Sequence, residues 1–154
     1  MATKLPIVQF IGDNQKILSK KCEPVTEITP EIEQLIEDMV YTAEVSGGIG
    51  LAAPQVGKSL QIIVLSGKVL NEDENWIVAI NPELEVVSQE QETIEESCLS
   101  FPIAKPIPRY KEVQIVAHIG NLEQRAVIYA KDLGARLLQH ECDHLQGVTL
   151  ASPH

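Results

Sequence analysis

An α+β fold in one domain spanning residues 1–154 is predicted, with antiparallel sheets packed around helices. Three features predict it. Ile32, Leu35, Ile36, Met39, Val40 and Ala43 recur at helical spacing, and a second helical stripe begins at Leu133. Between them lie short apolar or alternating runs, punctuated by glycine, proline and asparagine, as strands are. Strands and helices are segregated rather than alternating, which favours antiparallel sheets over a parallel βαβ array. Apolar content of 44% and charged content of 22% are ordinary for a globular chain. Twelve basic residues against twenty-two acidic ones give a net charge of −10, which argues against direct nucleic-acid binding and against docking on anionic lipid. No apolar run is long enough to span a bilayer, and the N-terminus lacks a signal-peptide core. Three cysteines, odd and sparse, do not form a disulfide framework, so a reducing cytoplasm is expected.

In chain order, residues 8–11 form a short extended piece, with a turn at Gly12, Asp13 and Asn14. Thr29 and Pro30 open the first helix, as N-cap and first helical residue. Its acidic residues Glu31, Glu33, Glu37 and Asp38 lie off the apolar stripe and form a solvated face. Gly47, Gly48 and Gly50 follow in a stretch of small residues where backbone can approach another chain closely. Gly57-Lys58-Ser59 resembles the end of a phosphate loop. Ala52, however, stands where that loop requires glycine, and a strand rather than a helix follows, so nucleotide binding is excluded. Residues 61–65 and 76–80 are buried strands separated by a polar loop at 71–75, with Trp76 in the core. Asn81-Pro82 ends the second strand. Residues 83–87 and 89–95 are expected to form a hairpin. Residues 101–108 hold three prolines and cannot continue a ladder freely. Residues 111–118 and 123–129 form another hairpin around Gly120-Asn121. The last helix is expected to start at Asp132 as N-cap and to stop at Gly147.

That last helix carries the chemistry. His140 and His144 are four residues apart, a turn of roughly 40° and a rise of roughly 6 Å, so both imidazoles leave one face. They continue the stripe of Leu133 and Leu137, with Glu141 between them. Two imidazoles and a carboxylate directed into a core are costly unless something pairs with them, and a divalent cation does so. Glu141 is then placed to handle protons on water at the metal. A catalytic site of this kind takes a third protein ligand. No acidic residue follows His144, and no histidine lies in the position that a metzincin would use, so the ligand comes from upstream. Cys142, two helical positions from His140, is turned roughly 200° away. Cys22 has the context of a small buried apolar residue. Cys98 is the leading candidate, with His118 on a strand as the second.

Three stretches together resemble the signature motifs of peptide deformylases, in the order of that family. They are Gly48-Ile49-Gly50-Leu51-Ala52-Ala53-Pro54-Gln55, Glu96-Ser97-Cys98-Leu99-Ser100 and Gln139-His140-Glu141-Cys142-Asp143-His144, with Pro108-Arg109 matching between the last two. The resemblance implies an α+β fold around a central metal-binding helix. It implies a hydrolase that removes the N-formyl group from the initiator methionine of nascent polypeptides and releases formate. Cys98, His140 and His144 would hold one divalent ion per chain, natively Fe(II), with zinc, nickel or cobalt able to occupy the site. Glu141 would be the general base. The Gln55 side-chain amide and the Leu99 N–H would stabilise the oxyanion. Gly48, Ile49, Gly50, Ile94, Glu96, Ser97, Leu133 and Leu137 would bind the methionine and the peptide, the backbone lying beside Gly50 as an added strand. Glu96 could also hold His140, with Arg109 as its ion-pair partner.

Ser97 replaces the family's usual glycine; if the position needs a positive φ, serine costs stability or shifts the loop. Lys105 stands where many bacterial members carry an arginine near the peptide. The chain ends soon after the motif helix, as in short forms, some phage-encoded, that lack the C-terminal helix used to dock on the ribosome. The expected compartment is a bacterial cytoplasm, or that of an infected bacterial host. Two other readings compete. A metallopeptidase cleaving internal peptide bonds would place its third ligand downstream, and in a non-catalytic metal-binding module Glu141 would only pack.

Overall fold

In the computed structural model, which describes residues 1–71 and 74–154, the two apolar stripes become helices on opposite faces of one sheet. In chain order the elements are α1 (Asn14–Leu18), α2 (Pro30–Val45), β1 (Gly50–Ala52), a 3₁₀ turn (Ala53–Val56), β2 (Ile62–Ser66) and α3 (Gly67–Asn71). After them come β3 (Trp76–Val86), β4 (Gln91–Glu96), β5 (Lys105–Tyr110), β6 (Glu112–Ile119), β7 (Arg125–Lys131) and α4 (Leu133–Leu145). Five strands form one antiparallel sheet in the order β1-β2-β3-β6-β7, and β4 pairs with β5 in a separate two-stranded sheet.

The alternation of side chains along a strand explains why residues 62–65 read as continuously apolar. Ile63, Leu65 and Ala79 pack with Ala135, Leu138, Cys142 and Leu145 of α4. Ile62, Val64 and Ile80 pack with Leu35, Met39 and Ala43 of α2. Each face of β2 therefore needs an apolar residue. Cys22 and Cys142 are both buried in the α4 side of this core, and Trp76 packs, half-buried, on the α2 side. Thr29 caps α2 as expected, its side chain accepting from Ile32 N at 3.2 Å, with Pro30 at the first turn.

Several expected boundaries differ. Asn81-Pro82 does not end β3; the strand passes through an irregularity between Ile80 and Glu83 and continues to Val86. Asn81 takes a positive φ there, and its amide forms two 2.8 Å hydrogen bonds with the Val25 backbone. Residues 83–87 and 89–95 therefore do not form a hairpin: Glu83–Val86 pair with β6, and β4 pairs with β5. The proline-rich stretch does yield a strand. Pro106 and Pro108 are two apart, so their nitrogens face the same way, and in a two-stranded sheet that side has no neighbour to supply with a hydrogen bond. The hairpin of β6 and β7 forms as read. Asp132 precedes α4 but makes no side-chain cap, because its φ of 53° turns it away from capping geometry. In the expected loop at 71–75, α3 ends at Asn71 and residues 72 and 73 lie outside the described residues. No helix among the described residues is long and apolar enough to cross a membrane.

Candidate metal centre

Helix α4 directs a stripe of side chains beneath the two sheets, and two separate stretches close over it. One is the loop 47–50 leading into β1, an edge strand of the large sheet. The other is the turn 97–100 that follows β4. They enclose a cavity of about 420 Å³ lined by Gly48, Ile49, Gly50, Gln55, Glu96, Ser97, Cys98, Leu99, Leu133, Leu137, His140 and Glu141. Gly47 completes the lining together with Glu95 and Arg136, two residues that the sequence reading did not single out. His144 lies behind this wall, buried. Ile94 is not brought to the cavity; it is 46% exposed and lines a neighbouring depression instead.

Cys98, His140 and His144 converge, each offering one ligand atom, with these atoms within 4.8 Å of one another. Cys98 Sγ and His144 Nε2 are 3.4 Å apart. Two atoms bound tetrahedrally to one zinc-sized ion at roughly 2.3 and 2.0 Å would be separated by roughly 3.5 Å, so the spacing fits a shared cation. Among the described residues no other group joins the cluster: His118 sits on β6 beside Arg125, and neither Cys22 nor Cys142 belongs to it. Burial, with the positive charges of His140 and Arg109, holds the His144 imidazole well below its usual range and hence neutral. Burial pulls the His140 ring down too, but its hydrogen bonds with Cys98 and Glu96 and the charge of Glu141 outweigh that and raise it to about 10. A cation binding Nε2 displaces the proton so held.

Glu96 is the hub behind the ligands. Its Oε1 lies 2.8 Å from His140 Nδ1, which leaves Nε2 for the metal. Arg109 donates to both carboxylate oxygens at 2.8 and 2.9 Å, and Arg136 donates to Oε2 at 2.6 Å. Burial opposes the charged form of Glu96, yet the hydrogen bonds from His140 and Arg109 prevail and bring it to about 2. Arg109 reaches on to Asp143, within the motif helix. The expected Glu96–Arg109 pair is thus part of a larger network, buried rather than on the surface. Arg136 precedes His140 by four residues, so it falls on the ligand face of α4. Helical spacing could have found it, although its charge hid it among apolar neighbours.

Glu141 is 4% exposed, and its Oε1 has no hydrogen-bond partner. Burial, with the charge of Glu96 adding to it, raises the carboxyl to about 7 against the opposing charge of His140. Gln55 is fixed at both ends of its amide. Its Oε1 accepts from Ala52 N at 2.9 Å, and its Nε2 lies 3.1 Å from Ser100 Oγ and 3.5 Å from Cys98 Sγ. The N-terminal segment braces the same loops: Val8 N donates to Gln55 O, Phe10 N to Ser100 O, and the Gln9 amide to Leu99 O at 2.8 Å. No sequence signal marked this brace. Ser97 does not adopt a positive φ, since Asn81 and Asp132 are the non-glycine residues that do so among the described residues. The expected strain at Ser97 is absent, and its exposed side chain faces the cavity. Lys105 opens β5, paired with Glu96 in register, and does not line the cavity.

Comparison with known proteins agrees with this geometry. The sequence model of the polypeptide deformylase family matches residues 6–153. A peptide deformylase of Desulforudis audaxviator is 38% identical over 146 residues, covering 94% of this chain and 91% of that protein. The crystal structure of peptide deformylase from Thermotoga maritima superposes with a TM-score of 0.85 at 36% identity, covering 98% of this chain and 99% of that one. A Met-Ala-Ser-bound class I type b peptide deformylase from Acinetobacter baumannii gives a TM-score of 0.84 at 29% identity, with 97% and 98% covered.

Proposed function

This chain belongs to the polypeptide deformylase family, and from that premise we propose how its own residues divide the work of hydrolysing the N-formyl group of nascent polypeptides. Cys98, His140 and His144 would hold the metal, and Glu96 keeps His140 in the tautomer that can ligate. A divalent ion bound there would supply Lewis acidity, lowering the pKa of water and polarising the formyl carbonyl. Glu141 takes a proton from the attacking water at its unpartnered Oε1 as the water oxygen bonds to the formyl carbon. The Gln55 Nε2 and Leu99 N–H groups donate to the oxygen that gains charge. Glu141 then passes its proton to the departing amine as the C–N bond breaks, leaving formate and a free N-terminal methionine. A carboxyl held at about 7 can accept and return a proton near neutral pH.

Ile49, Leu133 and Leu137 provide the apolar wall for the methionine side chain, with Gly48 and Gly50 giving room for the peptide backbone. A β-carbon at Gly48 would meet Leu99 Cδ1 at 2.9 Å, so a side chain there would require Leu99 to shift at the cavity edge. The edge strands β1 and β4 flank the opening, and a peptide laid between them could add to either. The Met-Ala-Ser complex of the Acinetobacter relative supports a peptide beginning with methionine as the occupant. Within the same reading the described residues act as one catalytic domain, the native ion is Fe(II), and the enzyme meets nascent chains in the cytoplasm. Zinc, nickel or cobalt suits the same ligands, because one thiolate and two imidazoles admit several divalent ions.

One observation carries the assignment of roles: a buried carboxylate oxygen without a partner stands beside three converging ligand atoms. The test is Glu141→Ala. The variant is expected to retain one metal per chain by elemental analysis and to lose nearly all formate release from a formyl-Met peptide. Undiminished turnover would remove Glu141 from the mechanism.

A further inference from the structure

Two cavities lie side by side under the β4–β5 sheet, of about 420 and 390 Å³, and they share Glu95, Leu133 and Arg136 as lining. The first is the methionine cavity. The second is lined further by the charged Glu92, Arg109 and Asp132 and by Ile94, Tyr110 and Lys111, whose aliphatic chain, ring and methylene stem give hydrocarbon a surface to pack on. Only a partition keeps the two apart. Its buried member is Arg136, whose guanidinium is fixed by three acceptors: Glu96 Oε2 at 2.6 Å, Ile107 O at 2.9 Å and Glu92 O at 2.7 Å. These belong to both strands of the small sheet, so Arg136 ties that sheet to α4 and cannot swing aside without taking a partner from the buried Glu96 carboxylate and Ile107 carbonyl. Leu133, 57% exposed, covers the same partition on its outer side.

We infer that Arg136, backed by Leu133, is the partition that limits the length of the first side chain this enzyme accepts. The inference rests on the deformylase reading above and deepens it. A methionine side chain ends at the guanidinium; a longer unbranched one meets a group that three hydrogen bonds hold still. Removing the guanidinium joins the cavities and opens a path toward Ile94. Glu96 remains bound by Arg109 at both oxygens, so His140 keeps its orientation.

The test compares kcat/KM for formyl-Met-Ala-Ser with that for the same peptide carrying 2-aminodecanoic acid in place of methionine. A single methylene in an apolar pocket is worth roughly 10-fold or more, so the ratio of long to short substrate is expected to rise at least ~10-fold in Arg136→Ala. Leu133→Ala, at an exposed position where folding is not at stake, is expected to shift the ratio the same way by a smaller factor. Arg136→Met refills part of the space without the three hydrogen bonds and is expected to give a ratio between those of wild type and Arg136→Ala. A loss caused only through Glu96 would lower both substrates together and leave the ratio unmoved. The wild-type rate on formyl-Met-Ala-Ser, read in the same assay, tests the deformylase reading alone. With that rate present, an unchanged ratio in Arg136→Ala and Leu133→Ala overturns the partition. So does a ratio in Arg136→Met as high as that in Arg136→Ala.

Discussion

A methyl group added at Gly50 would stand 2.7 Å from Leu137 Cδ1 and 2.8 Å from Glu141 Oε2. Neither distance is tolerable, so either the apolar wall or the proposed base must retreat. Because Glu141 is confined by burial, the crowding falls on the reacting geometry. Overpacking of this kind costs about 1–3 kcal/mol. Gly50→Ala is therefore expected to lower the melting temperature by several degrees and to reduce kcat/KM for a formyl-Met peptide by roughly 10-fold or more. Steady-state kinetics beside a thermal melt checks it, and a fully active variant would mean that Glu141 has slack. Ser97 teaches the opposite lesson about small residues. A resemblance that usually carries glycine suggested a backbone constraint, but the φ at this position is one that serine adopts without penalty.

Helix α2 illustrates how local chemistry specifies an element. Thr29 accepts from the Ile32 amide, Pro30 takes the first turn, and the stripe ending at Ala43 buries itself against β2 and β3. Thr29→Ala is expected to lower the unfolding free energy by about 1 kcal/mol and to leave formate release unchanged, since the helix lies across the sheet from the metal centre. Denaturant midpoints at constant m-value measure it. Strand pairing was less legible. Residues 83–87 and 89–95 have the spacing of a hairpin, yet Glu83–Val86 stay with β6, because the irregularity at Asn81-Pro82 lets β3 continue instead of ending. Prolines at 106 and 108 argued against a strand, and only the absence of a further neighbour on that side makes β5 compatible with them.

At the scale of the molecule, the buried Glu96 joins the small sheet to α4 through Arg109, Arg136 and His140. Its carboxyl falls from an ordinary value near 4.5 to about 2 in the folded chain. A depressed carboxylate contributes stability that is present above its unfolded pKa and is lost as pH falls toward the folded value. Here that window runs from about 4.5 down to about 2, and the difference corresponds to on the order of 3 kcal/mol. Wild type should therefore exceed Glu96→Gln in stability by most at neutral pH, and the gap should narrow steadily below about pH 4.5. Urea titrations across that range, with chelator present so that metal loss adds nothing, check the sign. A gap constant with pH would mean that Glu96 acts by shape rather than charge.

The sequence alone determined the chemical inventory and the phase of both long helices, because helical periodicity and capping are set by residues three or four apart. Two imidazoles and a carboxylate on one face of α4 follow from that spacing, whatever the rest of the chain does. Tertiary structure decided which groups meet them. Cys98 approaches His144 across 46 residues, Gln55 reaches Ser100 across 45, and Arg136 reaches Glu96 across 40. The placement of Ile94 outside the cavity beside the metal centre was settled the same way, with Arg136 lining both that cavity and its neighbour. Such contacts depend on how the sheets pack over the helix, and packing is a property of surfaces that assemble only when distant stretches are folded together.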